Sequence, residues 1–82
     1  MDFKYRESVL VEMARHGIVP HADTPPDLIH DFINDLYVYE IRALKARLKA
    51  GDFPRSEYAG RVDQLRRRYP ILSLPVKHWT ED

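Results

Sequence analysis

The most regular alternation of apolar and polar positions lies between Thr24 and Gly51. No proline or glycine interrupts Asp27 to Ala50, and apolar residues recur every three or four positions. This spacing predicts one long helix over residues 25–50. Thr24 suits its N-cap, where the hydroxyl accepts a hydrogen bond from a free first-turn amide. Pro25 suits the first helical position, which has no intrahelical amide partner to lose. Gly51 suits the position after the last turn, where a left-handed residue closes the helix.

At about 100° per residue, Leu28, Ile29, Phe32, Ile33, Leu36, Tyr37, Tyr39, Ile41, Ala43, Leu44, Ala46 and Leu48 fall on one arc of roughly 220°. A helix packed on a single neighbour needs an apolar stripe of about 100°. The excess predicts two flanking elements, or one element and a second chain. Tyr37, Ile41 and Leu48, on the edge farthest from Leu28, are the candidate contacts for a second chain. Glu40 and Arg47 interrupt the arc. A lone carboxylate among Ile33, Leu36 and Leu44 is costly. Glu40 is therefore expected to pair with Arg6 or Arg61 within the chain, or to meet a partner's cation in a groove.

Two shorter helices are expected around the long one. The first covers residues 2–16: Phe3, Arg6, Leu10, Met13 and Ala14 follow helical spacing, Val9 widens the face, and Gly17 ends it. Ile18 and Val19, in the loop that follows, are expected to pin that loop to the core. The third helix covers residues 55–69, stopped by Pro70. Its seam is Tyr58, Val62, Leu65 and Tyr69, the narrow stripe of a helix lying on one neighbour. Short connections fold it back antiparallel on the second half of the long helix. Phe53, in the connection, is expected to anchor in the core. The tail, residues 70–82, is apolar but carries Pro70 and Pro75, so an extended path is expected. It docks Trp79 on the bundle or presents it to a partner; docking is favoured, because a free end rich in leucine, valine and tryptophan is an aggregation liability. The fold class is thus all-α, one three-helix domain over residues 1–82 with a long central helix and an extended C-terminal tail.

Composition changes this picture in one respect. Eighty-two residues without cysteine have neither disulfide nor thiolate metal site to supplement a small core. Self-association is a common way for such a chain to complete its burial, and a homodimer is expected. The chain has no run of apolar residues long enough to span a bilayer. Its first residues lack a basic stretch followed by an apolar one. A cytoplasmic location is the expectation.

Formal charge is zero overall but uneven. Residues 1–41 hold three Lys/Arg and eight Asp/Glu, a net of −5; residues 42–82 hold ten and five, a net of +5. Within the long helix the acids come first and the bases last, the order the helix dipole favours.

Candidate chemistry adds little. Arg66, Arg67 and Arg68 make the third helix resemble a phosphate-binding element. Consecutive residues point about 100° apart, however, so only Arg61 and Arg68 share a flank. These two are the candidate anion-binding residues. No histidine pair has the spacing of a metal site, and no nucleophile sits in a strand–turn–helix elbow or beside a glycine-rich loop. No cofactor, metal or enzymatic activity is expected. Ala59 and Gly60 form a small-residue spot opposite the seam, and Gly60 is a candidate for close approach by a partner. The leading expectation is a small protein–protein interaction module, an accessory or regulatory subunit that self-associates or docks on a larger protein, with Tyr37, Glu40, Ile41, Leu48, Gly60 and Trp79 as contacts. The alternative is a nucleic-acid-binding module using the arginine-rich third helix.

Overall fold

A computed structural model of the chain describes residues 2–81. It is all-α, with three α-helices: α1 over Glu7–Arg15, α2 over Pro26–Lys49 and α3 over Tyr58–Arg66. Single 3₁₀ turns precede α3 at Arg55–Glu57 and follow it at Pro70–Ser73 and Val76–His78.

The long helix begins one residue later than its composition suggests. Pro25 is extended, at φ −65° and ψ 136°, because the ring of Pro26 excludes the helical region for the residue before it. Pro26 opens the helix, and Thr24 does not cap it. The Thr24 hydroxyl instead accepts the His21 amide at 3.0 Å and closes the preceding loop. The far end follows the expected rule. Gly51 is left-handed at φ 78°, and the Gly51 and Asp52 amides donate to Leu48 and Arg47 carbonyls at 3.1 and 3.0 Å. This is a Schellman closure. Gly17 ends α1 in the same way, with Gly17 and Ile18 amides on Ala14 and Met13 carbonyls.

The first helix is shorter than the expected 2–16. Residues 2–6 are extended and pair with the tail: the Arg6 amide donates to the Trp79 carbonyl and the Glu81 amide to the Lys4 carbonyl, both at 2.9 Å. An isolated antiparallel bridge joins Tyr5 to Thr80. The local pattern agrees with this. Asp2, Lys4 and Arg6 are exposed while Phe3 and Tyr5 turn inward, an alternation of period two.

The core consists of Tyr5, Val9, Met13, Ile29, Ile33, Leu44, Phe53, Leu65, Tyr69, Ile71 and Trp79. Trp79 and Met13 are 0% exposed. The tail therefore docks, but as two 3₁₀ turns rather than a continuous extended strand, and the Trp79 indole N–H donates to the Leu74 carbonyl at 3.0 Å. Phe53 anchors as expected, at 6% exposure, with the guanidinium of Arg61 4.3 Å above its ring. Val19 is not pinned: it is 83% exposed, while Ile18 packs on the core.

The molecule is a rod of 49 × 18 × 16 Å with a radius of gyration of 15.3 Å. A compact chain of this length has about 12 Å. The excess comes from α2, about 36 Å long at 1.5 Å per residue, which the shorter elements cover on one side.

Candidate functional site

The path of α3 decides which part of the α2 arc is covered. After the Gly51 turn the chain returns along α2. Tyr58, at the start of α3, shares a groove with Lys45 and Leu48. Tyr69, beyond its end, lies edge-on to Tyr37, with ring centroids 5.3 Å apart. Tyr37, Ile41 and Leu48 are consequently half-buried and packed against the core.

The opposite edge of the arc is left uncovered by the described residues. Leu28 is 62% exposed, Phe32 53% and Tyr39 72%. Ala43 and Ala46, on the same edge, are exposed too. With α2 taken as a regular helix, these five residues fall within about 60° of one another around its axis. The result is an apolar stripe with two aromatic rings along the rod. The stripe is the most distinctive surface feature of the molecule, and sequence periodicity placed its residues on the arc without showing that they stay exposed.

Beside the stripe runs a row of charges. Asp31 lies beyond it in the first half of α2, followed by Asp35, Arg42 and Lys49. Asp31 has only a His30 contact at 3.7 Å, and Asp35, Arg42, Lys45 and Lys49 take part in none of the ion pairs found among the described residues.

A second cluster gathers where α1 ends. Arg15, His16, Glu40, Arg67, Arg68 and Tyr69 line a shallow open cleft. His16 stacks on Tyr69 at 4.5 Å. The cation expected for Glu40 is neither Arg6 nor Arg61. Arg6 is held by the Thr80 carbonyl through its Nε, and Arg61 by Phe53 and Glu57. Glu40 instead accepts a hydrogen bond from the Tyr69 hydroxyl, with Arg68 at 3.8 Å. Its side chain is 36% exposed, so it is not a buried charge. Burial pushes the Tyr69 phenol up to about 12, helped by the hydrogen bond to Glu40 and by its negative charge, and opposed by Arg68.

As an anion site this cleft is weakened because its arginines are already engaged by carboxylates. Arg15 reaches Glu12 at 3.7 Å, Arg67 reaches Asp63 at 2.9 Å and Arg68 reaches Glu40. Arg61 and Arg68 are not brought together on one open patch: each is committed to a different neighbour. Gly60 faces open space on the side where a side chain would project. Trp79, a candidate contact from the sequence, lies in the interior at 0% exposure. Among the described residues no group of three or more His, Asp or Glu is placed to hold a metal ion, and no helix is long and apolar enough to cross a membrane. Comparison with protein-family models, curated proteins and solved structures finds no match.

Proposed function

We propose that this chain is a protein–protein interaction module, an accessory or regulatory subunit, and that the exposed edge of α2 is its docking face. The observation that carries the reading is the exposure of Leu28, Phe32 and Tyr39 on one line of one helix. Single exposed apolar residues are ordinary; a contiguous row of large ones marks an interaction surface. Tyrosine and other aromatics supply much of the energy at such faces, because they bury large area with few rotatable bonds. The nucleic-acid reading has less support, since Arg61, Arg67 and Arg68 are paired with Glu57, Asp63 and Glu40.

Affinity capture with the wild-type chain and with Phe32→Asp tests the reading. Phe32 lies outside the core, so the variant keeps its fold. The reading predicts that proteins held by the wild-type chain, further copies of itself included, are lost with the variant. The same retained set with both chains contradicts it.

A further inference from the structure

The α2 stripe also constrains what covers it. Leu28 and Phe32 lie in the first half of the helix, Tyr39 just past its middle, and the small residues Ala43 and Ala46 beyond it. The charges beside it follow the same division: Asp31 and Asp35 come early, Arg42 and Lys49 late. Both features are self-complementary when the helix meets an antiparallel copy of itself. Moreover, one register satisfies both. Setting Leu28 against Ala46 of the second copy also brings Phe32 against its Ala43, Tyr39 against its Asp35 and Asp31 against its Arg42. A two-fold axis crossing α2 near Tyr37 generates each contact twice, the isologous arrangement of a symmetric dimer. A parallel two-fold pairing would instead place Leu28 on Leu28 and carry the two charged rows to opposite sides of the interface, so that Asp31 never meets Arg42.

We propose that the occupant of the stripe is a second copy of this chain, packed antiparallel along α2 in that register. The inference rests on the docking-face reading and names its partner. From Leu28 to Ala46 the stripe runs about 27 Å and is one helix wide, a small contact of the kind that weak, transient complexes use. Association is therefore weak, with dissociation in the micromolar range or above.

Sedimentation equilibrium combined with charge exchange tests this. Asp31 and Arg42 are about 16 Å apart along one helix, so any coupling between substitutions at these two positions is intermolecular. The wild-type chain is expected to form dimers at high micromolar concentration. Asp31→Lys alone and Arg42→Glu alone should each weaken the dimer by about three- to tenfold, and the double exchange D31K/R42E should restore it. Phe32→Asp should leave a monomer with an unchanged melting temperature. A chain that is monomeric up to millimolar concentration overturns the self-pairing, while affinity capture on the same face still decides the docking reading. A dimer whose two exchanges simply add overturns the antiparallel register. A dimer indifferent to Phe32→Asp overturns the use of this face.

Discussion

The Tyr69 hydroxyl donates a hydrogen bond to Glu40 and thereby ties the segment after α3 to the middle of α2. The ring is fixed from two sides, by His16 stacked on it and by Tyr37 against its edge. Three helical segments distant in sequence thus converge on one phenol, and its position orients the return of the chain along α2.

Removing the acceptor should be felt, though modestly. Glu40→Ala leaves a buried phenol without a partner and is expected to cost about 1–3 kcal/mol. The Arg68 contact adds little, because that guanidinium is 68% exposed. Glu40→Gln keeps an acceptor and should cost less than the alanine. Chemical denaturation of the three chains checks the order.

The same pair sets an alkaline limit. Tyr69 holds its proton more tightly in the folded chain, up to about 12, than an ordinary phenol does. Its contribution is complete below the unfolded value of about 10. It is lost as pH rises from there toward 12, since the unfolded chain releases its proton first. Burial raises the Tyr5 phenol in the same direction. Stability followed by circular dichroism should therefore fall above about pH 10, and Glu40→Gln should flatten the fall. A wild-type profile level across that window would contradict the environment assigned to Tyr69.

Trp79 closes the other end of the core. It is the largest fully buried side chain, and its carbonyl holds the Arg6 amide. Trp79→Ala should cost about 3–5 kcal/mol, a large part of the stability of a domain this size. Its melting curve should move far down or lose cooperativity. An unchanged curve would mean that the tail does not dock.

Gly60 gives a prediction of opposite sign. It sits inside α3 with open space where a Cβ would go. Gly60→Ala should stabilise the chain by about 0.5–1 kcal/mol through helix propensity. A loss of stability in the thermal melt would show that α3 needs the glycine.

These outcomes separate what local pattern shows from what it hides. The end of α2 was legible because Gly51 closes a helix by geometry alone. The seam of α3 was legible as far as Leu65, which is buried; the helix stops at Arg66, short of the expected residue 69, so Tyr69 is buried beyond its end. The docked tail followed from its apolar content. The extended residues 2–6 were not legible, because five alternating residues are too few to outweigh helical spacing and their pairing partner, around Thr80, lies at the other end of the sequence. Glu40 found its partner in a phenol 29 residues on, whereas charge pattern pointed to arginines. The width of the α2 arc was visible, but its uncovered edge was not: that depended on which side α3 returned along. The candidates Tyr37, Ile41 and Leu48 lie beneath that return, and Leu28, Phe32 and Tyr39 do not.

The central claim is that the uncovered edge of α2 is where this chain meets another copy of itself. A dilution series followed by nuclear magnetic resonance, from millimolar to low micromolar chain, tests it most directly. Signals of Leu28, Phe32, Asp35, Tyr39, Ala43 and Ala46 should shift together along one binding curve, while those of Trp79, Met13 and Ile33 stay fixed. Shifts confined to the cleft of Arg15, Arg67 and Arg68, or absent at every concentration, would contradict it.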